Sequence, residues 1–240
     1  MLDILGAMAF STIAVLAVGA LTVAGSPDGS PRRRLAWGSA AWFALITGLA
    51  AAGVFSRPSG FGTLALGAAV LVPILAGLTL FAGSLPGRAF ALGMPLAVLV
   101  GVHVGRLLGG FMVALHAAGR LPPTFALTAG WGDVLVAAAA VPVAWAVHRR
   151  LPGWRPLTLA WNTVGVLDLV VAVSLGVGSA ADSPLRFIFE SPASDTMGTL
   201  PWALIPGFLV PIYMLTHGAI FAQLALPAVA GDTVRFRTAA

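Results

Sequence analysis

The chain has 240 residues, of which 59% are hydrophobic and only 9% are charged, with a formal net charge of +5. A water-soluble domain carries about 25% charged residues, so this composition excludes an ordinary soluble fold and predicts a membrane protein. The basic residues are all arginines, and the absence of lysine and cysteine excludes a retinal Schiff base, disulfides and cysteine-ligated metals. Most of these arginines flank apolar stretches, so we expect the lipid bilayer, and not nucleic acid, as the partner.

Apolar stretches of roughly 20 residues, enough to cross a hydrocarbon core about 30 Å thick, alternate with polar connectors. We predict an all-α fold, a polytopic transmembrane bundle of about seven helices that forms a single domain over residues 1–240. The predicted spans are about 4–24, 35–55, 61–81, 94–118, 128–147, 157–179 and 201–226. All connectors except 181–200 are short, so consecutive helices are expected to be antiparallel neighbours.

The first span begins Met-Leu-Asp and lacks the positive charge of a signal peptide, so we expect it to remain in the protein. With seven spans, nine arginines fall on one face of the membrane and three on the other. The positive-inside rule then predicts the N-terminus outside and the C-terminus in the cytoplasm. The nine are Arg32, Arg33, Arg34, Arg88, Arg149, Arg150, Arg155, Arg235 and Arg237; the three are Arg57, Arg120 and Arg186.

Ionisable residues lie inside three of the apolar spans. Arg106 is near the middle of the fourth span, Asp168 near the middle of the sixth and His217 past the middle of the seventh. An arginine or aspartate at this depth costs about 2.5–3.5 kcal/mol and normally faces the bundle interior, where it finds partners. We therefore predict a buried polar site on these spans, to which His103 and Asn162 also belong.

Small residues and prolines accompany these polar groups. Gly101, Gly105 and Gly109 follow a spacing that would let another helix pack closely on one stripe of the fourth span. In the seventh span, Pro206 and Pro211 remove backbone hydrogen bonds and are expected to kink the helix. A kinked helix beside polar side chains can expose backbone carbonyls to a ligand or to water.

The fifth and sixth spans contribute further candidates. Trp161, Gly165 and Asp168 recur at helical spacing and should line one face of the sixth span. Asp133 follows a glycine-rich stretch at the start of the fifth span, where it either caps the helix or joins the polar site. The capping interpretation is favoured.

Three functions are open. The favoured one is the handling of protons or a small solute at the polar site. The second is binding of b-type haem for electron transfer, with His103 and His217 as axial ligands and Arg106 near a propionate. The third is a structural or assembly subunit of a membrane complex, in which Arg106 and Asp168 fix helix packing. An enzymatic activity is not indicated, because phosphate-binding and zinc-protease motifs are missing.

Three stretches carry a family resemblance: GRLPPTFALTAGWGD from Gly119, WNTVGVLDLVVAVSLG from Trp161, and LPWALIPGFLVPIYMLTHGAIFAQL from Leu200. They resemble a group of uncharacterised bacterial seven-helix integral membrane proteins. The resemblance covers the second half of the chain. It implies a multi-pass protein of the bacterial cytoplasmic (inner) membrane.

Overall fold

The computed structural model describes residues 1–25 and 29–226, and within these ranges every regular element is helical. The predicted all-α class is therefore confirmed. The helices are α1 (Leu2–Ala24), α2 (Gly29–Ala51), α3 (Phe61–Gly83), α4 (Leu85–Gly93), α5 (Leu96–Ala117), α6 (Pro123–Arg149), α7 (Trp154–Ser179) and α8 (Ile205–Ala225). Single 3-10 turns lie at Val54–Ser56 and Ser194–Gly198.

Six of the described helices, α1, α3, α5, α6, α7 and α8, are long and apolar enough to cross a membrane. The chain is therefore a multi-pass membrane protein whose exposed leucines and valines contact lipid. The helix α2 is equally long but is not among the six, and its first turns hold Arg32, Arg33 and Arg34. Six helices thus meet the length and composition of a span, where the sequence predicts seven.

The short helix α4 lies where the sequence predicts only a connector. Its start is fixed by Ser84, whose hydroxyl accepts a hydrogen bond from the backbone N–H of Gly87 at 3.1 Å. At its other end, the side chain of Gln223 in α8 donates to the carbonyls of Ala91 and Met94, at 3.0 and 2.9 Å. The two hydrogen bonds from Gln223 hold the end of α4 against the end of α8.

One end of the bundle, here called the loop end, contains the N-terminus and the long connector between α7 and α8. There Asp3 accepts hydrogen bonds from Arg120 at 2.9 Å and from the indole of Trp202 at 2.7 Å. The hydroxyl of Thr196 donates to the carbonyl of Arg120 at 2.9 Å. The connector is therefore fastened to α1 and to the α5–α6 turn.

The opposite end, here called the arginine end, joins α1 to α4 and α7 to α8. Gly25 packs against the ring of Phe90, and Arg155 donates to the carbonyls of Leu224 and Leu226, both at 2.8 Å. Most arginines of the described chain gather at this end, namely Arg32, Arg33, Arg34, Arg88, Arg149, Arg150 and Arg155.

Two helices depart from α geometry, α5 in its middle and α8 in its first turn. Residues Val102–Gly109 of α5 are wound as a 3-10 helix, and residues Ile205–Leu209 of α8 form a π-helical turn. The π turn contains Pro206 and ends two residues before Pro211, so α8 changes helix type next to the two prolines that lack a backbone N–H. Such irregular turns are frequently found at functional sites.

Candidate functional site

The guanidinium of Arg106 lies at the centre of a group of polar side chains and is completely buried. Its Nε donates to Asp133 at 2.6 Å, and its Nη2 donates to the carboxylate of Asp168. Its Nη1 donates to the carbonyl of Gly165 at 3.1 Å and lies 3.3 Å from Nε2 of His217. We call the group the polar cluster; its members are His103, Arg106, Asp133, Asn162, Asp168, Tyr213, Thr216 and His217.

The 3-10 winding of α5 determines which of its residues enter the polar cluster. With three residues per turn, side chains at positions i and i+3 lie directly above one another. His103, Arg106 and Gly109 therefore form one line along the helix. A Cβ atom at Gly109 would come within 2.9 Å of the Gly130 carbonyl, so the missing side chain lets α6 approach Arg106.

The predicted glycine stripe on α5 is not a single packing face, and that expectation is wrong. A Cβ at Gly105 would come within 2.5 Å of the Tyr213 hydroxyl of α8, whereas Gly109 faces α6. Gly101 has no neighbouring atom within 4 Å of the same position. The reason is that a spacing of four residues aligns side chains in an α-helix but not in a 3-10 helix.

Glycines of α6 and α7 make room for the charged side chains. A Cβ at Gly132 would collide with the Asp168 carboxylate, and one at Gly165 would lie 2.8 Å from Nε2 of His217. The predicted alignment of Trp161, Gly165 and Asp168 on one face of α7 is confirmed, because all three contact the polar cluster. The Trp161 ring centroid is 5.5 Å from that of His217.

The interpretation of Asp133 as a helix cap is wrong. The helix α6 begins at Pro123, since proline suits the first helical turn, and Asp133 lies ten residues beyond that start. Its carboxylate binds Arg106 instead of backbone N–H groups. The glycine-rich stretch before it is a close-packed part of the helix interior.

Asn162 fixes the orientation and the protonation pattern of His217. Its amide nitrogen donates to the His217 carbonyl at 3.1 Å, which places its Oδ1 2.7 Å from the ring Nδ1. An amide oxygen only accepts, so Nδ1 carries the ring proton. The lone pair of Nε2 then points at Arg106 and accepts from it.

His103 belongs to the polar cluster as the sequence predicts, and Tyr213 extends the cluster beyond that prediction. The His103 ring lies 4.0 Å from that of His217, and its Nε2 is 3.0 Å from the Thr216 hydroxyl. Its Nδ1 and the hydroxyl of Tyr213 are buried without a hydrogen-bond partner in the described part of the chain. Tyr213 is the single tyrosine and lies one helical turn before His217, which is the signal that could have identified it.

The histidines do not fit a haem. With ring centroids 4.0 Å apart, the two imidazoles are in direct van der Waals contact, which leaves no space for a porphyrin plane between them. Their nitrogens also face Asn162, Arg106 and Thr216. Within residues 1–25 and 29–226, no group of three His, Asp or Glu side chains is placed to hold a metal ion.

A cavity of about 100 Å³, here called the loop-end cavity, reaches from the loop end to Asp133. Its wall is mostly apolar and is built by α3, α7, the start of α8 and the connector; Ser194 and Asp195 of the connector contribute polar groups to this wall. A smaller inner cavity of about 20 Å³ is bordered by Arg106, Asp133 and Tyr213. One water needs about 10–15 Å³, so the first cavity has room for several waters or a small ligand and the second has room for one water.

Towards the arginine end, branched apolar side chains fill the space beside the polar cluster. Leu99, Val100, Val136, Val143 and Ile220 are all buried in one contiguous group. The polar cluster is therefore approached by the larger cavity from the loop end and closed by close packing on the other side. A solute would therefore reach Asp133 from the loop end.

The chain matches a family model described as a domain of unknown function, DUF8737, over residues 84–225. The matched region covers α4 to α8 and therefore the complete polar cluster. No curated protein and no solved structure matches the chain. The chain belongs to the DUF8737 family.

Proposed function

We propose that this member of the DUF8737 family binds and releases protons at the polar cluster as part of transport across a membrane. One observation carries the proposal: Arg106 is paired with two carboxylates from different helices, and one of them, Asp133, borders the loop-end cavity. Formally, two negative charges face one positive charge. A buried charge without compensation is costly, and a proton neutralises it while occupying almost no space.

The difference in exposure between the partners supports the two acids as the proton-binding groups. The Arg106 side chain is 0% exposed, whereas those of Asp133 and Asp168 are each 13% exposed. Water in the loop-end cavity can therefore reach Asp133 without displacing the arginine. Ser194 and Asp195 add polar groups to the wall of the same cavity.

His217 couples proton binding to the position of Arg106. In the present arrangement its Nε2 accepts from the guanidinium. A proton placed on Nε2 would turn this acceptor into a donor that faces another donor, so the contact with Arg106 would break. A proton that reaches His217 would thus release one of the bonds that hold Arg106.

The topology we propose has seven crossings, with the N-terminus outside and the C-terminus in the cytoplasm of a bacterial inner membrane. The contact between the indole of Trp42 and the Gly207 carbonyl at 2.8 Å supports α2 as the seventh span, because it packs α2 along α8. The arginines at one end support a cytoplasmic arginine end; Arg235 and Arg237 lie outside the described residues. The loop-end cavity would then open to the outside.

A structural role is the second candidate, and one observation favours it. Four N–H groups of Arg106 have partners, on α6, α7 and α8, as expected of a residue that fixes helix packing. On this reading the protein would serve as a subunit that binds other membrane proteins. The two candidates differ in whether the acids exchange protons.

Proton flux into liposomes that contain a pH-sensitive dye tests the proposal. With a potassium gradient and valinomycin to set the potential, wild-type protein should acidify the lumen faster than empty liposomes do. We expect Asp133→Asn and Asp168→Asn each to lower the rate at least about tenfold, because an amide does not bind the proton. Glu190→Gln is the control, since Glu190 binds Thr124 at the loop end.

The same measurement separates the two candidates. Wild-type flux that equals that of empty liposomes, or full flux in folded Asp133→Asn protein, would reject proton handling. Thermal unfolding of each variant in detergent verifies that a lost rate does not reflect a lost fold. A structural role predicts lower unfolding temperatures without any wild-type flux.

A further inference from the structure

We infer that the loop-end cavity is a binding site for a small hydrophobic cation, a primary alkylammonium, with the ammonium group at Asp133 and the alkyl chain along the apolar wall. The inference shares one premise with the proposed function, namely that Asp133 and Asp168 carry one more negative charge than Arg106 compensates. Binding and proton flux are separate measurements, so either can fail alone.

The wall of the cavity suits an alkyl chain. It is lined by the hydrophobic side chains of Phe55, Leu66, Val70, Phe125 and Val173. Ligand sites are typically apolar, with few polar groups that fix the orientation of the ligand. The volume of about 100 Å³ is well below the roughly 300–1,000 Å³ of pockets for drug-sized molecules, so the ligand is short.

The inner end of the cavity suits an ammonium group. One oxygen of Asp133 binds Arg106, and among the described residues no hydrogen bond reaches the other oxygen. An ammonium N–H would donate to this free oxygen in a charge-assisted hydrogen bond and would supply the missing positive charge. A neutral ligand would leave the charge in place, and an anion would be repelled.

A second unsatisfied group lies on the far side of Asp133. Tyr213 is 3% exposed, its hydroxyl has no hydrogen-bond partner in the described chain, and it borders the inner cavity together with Asp133. A buried hydroxyl without a partner costs about 1–3 kcal/mol. A water in the inner cavity, held between Tyr213 and Asp133, would satisfy it and complete the polar end of the site.

Glycines shape the alkyl part of the site. Gly67 of α3 and Gly176 of α7 both line the cavity. A Cβ at Gly67 would meet no atom within 4 Å, so a larger residue there would extend into the cavity without a clash at its Cβ. Gly48 of α2 has equally open surroundings and does not line the cavity, which makes it the matched control.

Calorimetric titration of protein in nanodiscs, with empty nanodiscs subtracted, tests the inference. The probes are n-hexylammonium and 1-hexanol, which have similar shape and differ in charge. We expect saturable binding of hexylammonium at least about tenfold tighter than that of hexanol. Asp133→Asn and Gly67→Phe should each weaken hexylammonium binding about tenfold or more, whereas Gly48→Phe should leave it unchanged.

Equal affinity for the two probes would overturn the inference, as would full hexylammonium binding by folded Asp133→Asn or Gly67→Phe protein. Thermal unfolding identifies any variant that fails to fold, and the comparison of the two probes on wild-type protein does not depend on any variant. Hexylammonium binding by protein without proton flux supports this inference and rejects the proposed function. Proton flux without hexylammonium binding does the opposite.

Discussion

Arginine–aspartate pairs join helices in two regions of this protein, the middle of the bundle and its loop end. The side chains of Arg106 and Asp133 are 0% and 13% exposed, whereas those of Arg120 and Asp3 are 34% and 52% exposed. Removing one partner of a buried pair leaves an uncompensated charge and lowers the free energy of unfolding by about 3–5 kcal/mol. An exposed pair contributes only about 0–1 kcal/mol. The burial of an arginine–aspartate pair, and not its chemical identity, therefore determines how much its loss should destabilise the protein.

Replacement of the central arginine should give the largest effect. Arg106→Met leaves Asp133 and Asp168 buried close together without their common partner, so we expect a loss of about 3–5 kcal/mol in the free energy of unfolding. The change is measured by denaturation in mixed micelles. A loss below about 1 kcal/mol would mean that the central pair behaves like the exposed one.

A variant without charges sharpens this result. Asp133→Asn and Asp168→Asn, combined with Arg106→Met, remove all three formal charges of the buried network. Part of the stability should return, because no uncompensated charge remains buried in the bundle. No recovery would show that the hydrogen bonds, and not the charges, hold these helices together.

The packing that permits the central pair should be the next most sensitive feature. In Gly165→Ala, the new methyl group would lie 2.8 Å from Nε2 of His217, and overpacking of this kind costs about 1–3 kcal/mol. Gly218→Ala is the control, since nothing lies within 4 Å of its Cβ position and alanine favours a helix. Equal stability of the two variants would contradict the tight approach of α7 to α8.

A loss of about 1–3 kcal/mol is also expected for Asn162→Ala, because His217 loses the acceptor for its Nδ1 proton. The readout specific to this contact is the ¹⁵N shift of the His217 ring. It should report a proton on Nδ1 in the wild type and a mixture of tautomers in the variant. Thr163→Ala is the control, because that hydroxyl binds only its own helix.

The smallest effect is expected at the loop end. Arg120→Gln removes the exposed ion pair with Asp3, whose carboxylate still accepts from Trp202 at 2.7 Å. The free energy of unfolding should fall by less than about 1 kcal/mol. A loss as large as that of Arg106→Met would refute the dependence on depth.

The course of the helices follows from sequence because an apolar stretch of membrane length leaves the chain few alternatives. Arg106 and Asp168 are predictable for the same reason, since a charge at that depth must find a partner. Their partnership with Asp133 is not predictable, because it depends on where α6 begins. The helix begins at Pro123, five residues before the predicted 128, and Asp133 therefore lies deeper in the bundle than predicted.

Other features escape sequence reasoning because they depend on three-dimensional packing. The loop-end cavity combines residues far apart in sequence, such as Thr63, Asp133, Gly176 and Ser194. The 3-10 winding of Val102–Gly109 has no distinct residue pattern, since its glycines suit α-helix packing equally well. Local spacing therefore misassigns the faces of that helix even where it identifies the polar residues.

The 3-10 stretch of α5 has a mechanical consequence. Its eight residues rise about 2.0 Å each, against 1.5 Å in an α-helix. If these eight residues became α-helical, α5 would shorten by about 4 Å and one of its ends would rotate by about 160° relative to the other. Arg106, which is bound by two carboxylates, is part of this segment, so a change from 3-10 to α-helix would move its side chain. The distance between spin labels at Leu96 and Ala117 would report such a change.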